Sequence, residues 1–202
     1  IKKSEEKLSE IGERLQIIDQ TQCAHIQAQT IIDYAKDLKK KTRTSKVLII
    51  VDYLQVWPIP STLKIYSDHE GDKWRIGEMK KLSESIDQDE ECVIVVSEAR
   101  KPSGKGESWG SEMSDVMGSA RLTYSPDVVA LLSQITPQYL EKMKKPNLTS
   151  SIQECEEFLK TQENQGISLC SLNIVKARDG MTKFSTLLEF HFYKNTFKST
   201  NW

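Results

Sequence analysis

The uninterrupted run of apolar residues from Val47 to Val51 is the strongest pattern in the chain. Five branched apolar side chains in succession are typical of a strand that is buried on both faces of a parallel sheet. The run ends at Asp52, and the ligand crevice of an open α/β sheet lies at the carboxyl ends of its strands. Asp52 is therefore a candidate ligand-binding carboxylate, although an aspartate that only begins a turn after a core strand fits the same pattern.

The elements around this run alternate between strand and helix. The patterns predict a charged helix from Lys2 to about Glu13, a short strand at Leu15–Asp19, an amphipathic helix from Thr21 to about Lys40, a helix at Trp74–Ile86 and a strand at Cys92–Ser97. Such alternation builds βαβ units, which favours a parallel sheet flanked by helices. The Pro-rich polar segment from Trp57 to about Lys73 is long enough to suggest a functional loop.

The last third of the chain differs in kind. Asp127–Ile135 reads as a further buried strand, and residues 136–166 read as an insertion in which Ser151 caps a helix that reaches Thr161. Ser168–Val175 and Phe184–Tyr193 alternate as strands, and the Asp179-Gly180 pair between them is a hairpin signal. The predicted fold class is therefore α/β, with a mostly parallel sheet that ends in an antiparallel hairpin.

Composition narrows the class of protein without naming a ligand. The chain has 202 residues, is 38% hydrophobic and 28% charged, and carries a formal net charge of −1, so bulk charge gives no hint of nucleic-acid binding. The basic run at 36–46 precedes the Val47 strand and is read as a helix C-terminus followed by a solvated loop. Four scattered cysteines and three distant histidines predict neither a disulfide framework nor a zinc site, as in a cytosolic protein.

Several motifs along the chain resemble one family in that family's order. Val51-Asp-Tyr-Leu-Gln55 resembles the Walker B strand of the RecA-fold hexameric DNA helicases of the DnaB type. Four further segments match in register: Arg14–Asp19 resembles an earlier strand, Cys92–Glu98 the strand that carries a γ-phosphate sensor, Ser114–Ser119 with Asp127–Leu132 the DNA-facing loop and its next strand, and Lys176-Ala-Arg178-Asp-Gly180 the K-x-R-x-G finger motif.

The resemblance assigns roles at the strand ends. It implies that Asp52 binds Mg²⁺ in a Mg–ATP site and that Ser97 and Glu98 approach the nucleotide. Glu98 departs from the family pattern, because a glutamine is expected there and a glutamate carboxylate cannot donate a hydrogen bond to phosphate. Either Glu98 acts through metal or water, or Arg100 or Lys101 makes the sensor contact.

The resemblance also implies partners. Lys176 and Arg178, two residues apart on a strand and so on one face, would reach the ATP site of the next subunit in a ring, which is expected to be a hexamer. Within the channel-like segment 100–125, the candidates for contacts to the phosphates of single-stranded DNA are Lys101, Lys105, Ser111 and Ser114. A primase is a further expected partner.

The sequence contains no G-x-x-x-x-G-K-S/T segment, the P-loop that holds the phosphates of a nucleotide. Residues 1–202 are therefore expected to be the C-terminal part of a RecA-fold ATPase domain whose P-loop half lies elsewhere. Two alternatives remain open: a RadA- or KaiC-like ATPase that forms rings or filaments without unwinding DNA, and a non-catalytic RecA-fold scaffold or adaptor.

Overall fold

A computed structural model describes residues 9, 11–19, 26–86, 91–98, 125–142, 151–178 and 184–200. The chain divides into two compact units, an N-terminal unit (Ile1–Glu98) and a C-terminal unit (Ala99–Trp202). Most of the predicted helix at Lys2–Glu13 lies outside the described residues. Within the described part of the chain, no helix is long and apolar enough to cross a bilayer.

The N-terminal unit contains a parallel pair of strands with helices packed on it. Its elements are α1 (Ala28–Thr42), β1 (Val47–Val51), a 3₁₀ turn (Leu54–Val56), α2 (Asp68–Glu84) and β2 (Glu91–Val95). β1 and β2 are parallel and in register from Val47 opposite Glu91 to Val51 opposite Val95. The βαβ arrangement predicted for this part of the chain is confirmed.

Both helices have ends that follow from local chemistry. α1 ends with Lys39, Lys40 and Lys41 in its last turn and with Arg43 in the left-handed conformation, which confirms the reading of the basic run as a helix C-terminus. α2 begins at Asp68 rather than at the predicted Trp74, because the Ser67 Oγ accepts the Glu70 N–H at 3.3 Å and caps the helix. The polar segment after Trp57 is correspondingly shorter than predicted.

β1 and β2 are covered on one face, not on two as the apolar run predicts. Ile49 and Val51 are 8% and 7% exposed, whereas Leu48 and Ile50 between them are 56% and 59% exposed. On β2 the neighbouring Ile94 is 47% exposed. Alternate residues of a strand point to opposite faces, so within the described residues one face of this pair is open and apolar.

The strand predicted at Leu15–Asp19 is wrong. This segment forms neither helix nor strand, and Leu15 and Ile17 are 54% and 67% exposed. Among the described residues β1 is hydrogen-bonded only to β2, so residues 15–19 have no ladder partner at its other edge.

The C-terminal unit is built on an antiparallel sheet. Its elements are β3 (Val128–Gln134), α3 (Pro137–Lys142), α4 (Ile152–Asn164), β4 (Ile167–Ala177), β5 (Ser185–His191), a 3₁₀ turn (Phe192–Lys194) and β6 (Thr196–Ser199). The strand order is β3-β4-β5-β6, and each pair is antiparallel.

The predicted α/β class is confirmed, but the prediction of a mostly parallel sheet is wrong for the described strands. They form one parallel pair and one four-stranded antiparallel sheet. The predicted hairpin exists as β4 and β5, although its Asp179-Gly180 turn lies outside the described residues. β3 pairs antiparallel with β4 instead of extending the parallel pair, and β6 was not predicted. A strand's apolar pattern records burial but not the direction of its neighbour, so the sequence could not fix this pairing.

The two helices within the segment 136–166 contribute directly to the core of the C-terminal unit. Leu140 of α3 and Cys155 of α4 pack with Ile135, Leu169 and Leu187 of the sheet. The predicted cap is confirmed, since the Ser151 Oγ accepts the Glu154 N–H at 3.3 Å, and the helix runs on to Asn164. α3 and α4 therefore cover one face of the sheet.

Candidate functional site

Asp52 directly follows β1. Ser97 and Glu98 follow β2 after one intervening residue, Val96. Because the two strands are parallel, their carboxyl ends meet at one edge of the sheet. Beyond β2, the Val96 N–H donates to the Val51 carbonyl at 2.8 Å, and the Val96 carbonyl accepts the Leu54 N–H at 2.9 Å. These bonds bring the Asp52 turn and the Ser97-Glu98 segment together.

Gln55 joins the two strand ends through its side chain. Its Nε2 donates to the Ser97 Oγ at 2.9 Å, and its Oε1 accepts the Glu98 N–H at 3.3 Å. Sequence reasoning included Gln55 in the Val51–Gln55 motif but gave it no role. The available signal was its position three residues after Asp52, on the 3₁₀ turn that begins at Leu54.

The carboxylates at this edge are suitable ligands for a hard cation such as Mg²⁺. Asp52 is exposed, and its oxygens are of the kind that Mg²⁺ prefers. No cluster of three or more His, Cys, Asp or Glu side chains that could hold a metal occurs among the described residues. Asp52 could hold Mg²⁺ together with water and substrate oxygens, which is the usual arrangement of a Mg–nucleotide site. Glu98 is also exposed, and as a carboxylate it only accepts hydrogen bonds.

A cavity of about 620 Å³ adjoins Asp52 within the N-terminal unit. It is bounded by β1, α1 and the 15–19 segment, and both Asp19 and Asp52 belong to its lining. Trp57 also lines it, is 6% exposed, and has an indole N–H without a hydrogen-bond partner in the described structure. Sequence reasoning identified neither Asp19 nor Trp57 as a site residue.

Lys176 and Arg178 lie at the end of β4 in the C-terminal unit, next to the start of β3. The Arg178 N–H donates to the Asp127 carbonyl at 3.0 Å, and the Arg178 Nη1 lies 3.1 Å from the Asp127 Oδ1. The Arg178 and Asp127 side chains are 48% and 74% exposed, so this ion pair is a surface pair.

Lys176 belongs to the same charged group. Partial burial, followed by the nearby Arg178 guanidinium, lowers the pKa of Lys176, and Asp127 partly opposes this shift. β4 ends at Ala177, so Arg178 lies one residue beyond the strand that carries Lys176. The remaining predicted residues lie outside the described part of the chain: Arg100, Lys101, Lys105, Ser111 and Ser114.

Comparison with known proteins gives a likeness of fold. No protein-family model matches the chain, and no curated protein sequence matches it. Among solved structures, the chain is similar to a DnaB-like replicative helicase, in a structure that also concerns the helicase's interactions with primase. The TM-score is 0.50 at 17% identity, and the match covers 81% of this chain and 32% of the other. The fold is therefore helicase-like, and the chain spans about a third of the length of that helicase.

Proposed function

We propose that this chain is part of an ATP-driven, ring-forming DNA helicase of the DnaB type. The observation that carries the proposal is the meeting of Asp52, Ser97 and Glu98 at the carboxyl edge of the parallel β1–β2 pair. The helicase-like fold and the sequence motifs in the family's order support it independently. ATP hydrolysis would be coupled to movement along single-stranded DNA.

Asp52 would hold Mg²⁺ in the nucleotide site, since it is an exposed carboxylate on a hydrogen-bonded turn. A bound Mg²⁺ neutralises charge on the phosphates during phosphoryl transfer. Ser97 would donate its hydroxyl proton to the nucleotide. Glu98 would accept hydrogen bonds from water near the phosphates, because its carboxylate would repel them in direct contact.

Lys176 and Arg178 would act on the ATP site of a neighbouring subunit in a hexameric ring. The exposure of Arg178 and its closeness to the half-buried Lys176 support this role, because a finger residue must reach beyond its own subunit. Lys101, Lys105, Ser111 and Ser114 are proposed to contact single-stranded DNA. A primase is the proposed partner protein, because the similar helicase structure concerns interactions of that helicase with primase.

Replacing Asp52 with Asn in the intact motor protein tests the proposal. We expect Asp52→Asn to abolish Mg²⁺-dependent ATP hydrolysis and DNA unwinding, because the isosteric amide loses the charge that holds the metal. The melting temperature should stay unchanged, since Asp52 is exposed. Asp37→Asn, on the exposed surface of α1, is the matched control.

Three outcomes separate the candidate functions. ATP hydrolysis with unwinding, both lost in Asp52→Asn, supports the helicase. Asp52-dependent hydrolysis without unwinding indicates the ring- or filament-forming ATPase instead. An intact wild-type protein that does not hydrolyse ATP indicates a scaffold and refutes the proposal.

A further inference from the structure

The Gln55 side chain holds two different groups on the Ser97-Glu98 segment, and the chemistry of these groups fixes its orientation. A backbone N–H can only donate, so the Gln55 atom that faces the Glu98 N–H at 3.3 Å must be the carbonyl oxygen Oε1. The amide nitrogen Nε2 then faces the Ser97 Oγ at 2.9 Å. An amide nitrogen also only donates, so the Ser97 hydroxyl must accept this bond.

The consequence concerns the proton of the Ser97 hydroxyl. Since one lone pair of Oγ is used by Gln55, the O–H must point elsewhere. Within the described structure, its acceptor is the Glu98 carbonyl at 3.4 Å, which is long for a hydroxyl donor. An anionic oxygen would compete well for this proton, because hydrogen bonds to charged acceptors are about twice as strong as neutral ones.

We propose that Gln55 is a positioning residue that makes the Ser97 hydroxyl a hydrogen-bond donor to a phosphate oxygen of the bound nucleotide. This inference rests on the proposed function, and it assigns a role to a side chain outside the Asp52, Ser97 and Glu98 set. Gln55 itself does not contact the nucleotide. Its second bond, to the Glu98 N–H, fixes the backbone on which Ser97 stands.

Hydrogen exchange in the 202-residue chain tests the geometry without reference to activity. We expect the Glu98 amide to be protected in the wild type and to exchange faster in Gln55→Met, which has a similar shape but no acceptor. The Leu54 amide, bonded to the Val96 carbonyl, should stay protected in both. Gln29→Met, which removes an exposed side-chain bond on α1, is the matched control. An unprotected Glu98 amide in the wild type would overturn the inference.

Gln55→Glu, made in the intact motor protein, separates the effects of the two Gln55 hydrogen bonds, one to Ser97 and one to Glu98. A carboxylate still accepts the Glu98 N–H but cannot donate to Ser97, so the Ser97 proton should turn inward to it. We expect Gln55→Glu to keep the Glu98 amide protected and yet to lower kcat/KM for ATP by about 10- to 100-fold, as expected for one hydrogen bond to a charged group. Ser97→Ala should lower kcat/KM by a similar factor.

The double variant Gln55→Glu with Ser97→Ala decides whether Gln55 acts through Ser97. If it does, the double variant should be no worse than Ser97→Ala alone within about threefold, because the two changes remove one interaction. A further large loss would mean that the added charge itself repels the nucleotide, and the inference would be wrong. A wild-type motor without ATPase activity would instead refute the proposed function. The hydrogen-exchange result would still test whether Gln55 is bonded to the Glu98 amide.

Discussion

The two units of this protein place opposite charges at the ends of their strands. In the N-terminal unit, Asp52 and Glu98 follow two parallel strands whose ends are joined through Gln55. In the C-terminal unit, Lys176 and Arg178 lie at the end of an antiparallel sheet, where Arg178 pairs with Asp127. An acidic edge suits a metal ion with its nucleotide, and an exposed basic group suits the charge of a transferred phosphoryl group. Under the proposed function, the acidic edge would hold the Mg–nucleotide and the basic pair would act on the site of a neighbouring subunit.

Both sheets are covered on one face and leave apolar side chains exposed on the other, such as Leu132 of β3 at 52%. The C-terminal sheet has a closed cluster in which Cys155 is 0% and Leu169 is 3% exposed. On the N-terminal pair, Leu48, Ile50 and Ile94 are all roughly half exposed. Parallel strands are normally buried on both faces. Antiparallel sheets commonly face water on one side, so among the described strands the open face of the parallel pair is the less usual of the two.

The largest expected effect is that of replacing Arg178. This variant tests whether the basic pair acts on the nucleotide that the acidic edge would bind. In the intact motor, we expect Arg178→Ala to leave ATP affinity nearly unchanged and to lower kcat by about 10³-fold or more, as for arginine fingers in general. ATPase kinetics together with nucleotide-binding measurements check this. Arg14→Ala, at an exposed position in the N-terminal unit, is the control.

Mixing two inactive variants distinguishes action between subunits from action within one. If Arg178 acts on a neighbour, Arg178→Ala mixed with Asp52→Asn should regain partial activity, because some interfaces combine an intact Asp52 with an intact Arg178. Native mass spectrometry must first show mixed oligomers. Should these form while activity stays at the level of the separate variants, the role between subunits is wrong.

Thiol labelling sharpens the comparison of the two sheets. Cys92 on β2 is exposed, whereas Cys155 is fully buried in the C-terminal core. Burial, and then the charges of Glu141 and Glu154, raise the pKa of Cys155. At neutral pH we therefore expect Cys92 to react at least about 100-fold faster than Cys155, with Cys170 between them.

The labelling experiment uses a Cys23→Ser background so that only described thiols are compared. Because its pKa is raised, Cys155 should hold less thiolate at neutral pH and react faster as the pH rises. Protection of Cys92 that disappears on dilution would mean that copies of the chain cover the open face in solution. Protection that persists on dilution would contradict an open β1–β2 face.

The sequence predicts the local elements of this fold better than their pairing. The apolar runs locate β1, β2 and β3 within a residue or two, because burial is encoded in each strand by itself. The antiparallel pairing of β3 with β4 depends on residues that are distant in sequence. The strand at Leu15–Asp19 failed for the same reason, since an apolar run forms a strand only where a partner strand offers its backbone.

The candidate site follows a similar division. Asp52 was predicted because it follows an apolar run, and the family resemblance added Ser97 and Glu98; the parallel pairing of β1 and β2 brings those strand ends together. Gln55 was missed because its role depends on bonds to residues more than forty positions away. The Asp127 partner of Arg178 was missed likewise, since the cross-strand register that joins them is not visible in either segment alone.

The smallest expected effect concerns Glu78, a buried carboxylate that completes the helical side of the N-terminal unit. Glu78 is 4% exposed, its Oε2 accepts the Ala28 N–H at 2.9 Å, and its Oε1 lies 2.7 Å from the Lys81 Nζ. The Ala28 N–H is one of the first amides of α1, which have no partner within the helix. Glu78 thus ties α2 to the N-terminus of α1, where a negative charge also interacts favourably with the helix dipole.

We expect Glu78→Ala to lower the free energy of unfolding of the 202-residue chain by about 2–3 kcal/mol, because it leaves the Ala28 N–H buried without an acceptor. Glu78→Gln should lose about 1 kcal/mol, since its amide oxygen still accepts that N–H while the charge is gone. Glu84→Gln, which removes an exposed pair with Lys80 at 3.5 Å, should change stability by less than about 0.5 kcal/mol. Urea unfolding measures all three. Equal losses for Glu78→Ala and Glu84→Gln would show that the α1–α2 contact through Glu78 does not stabilise this unit.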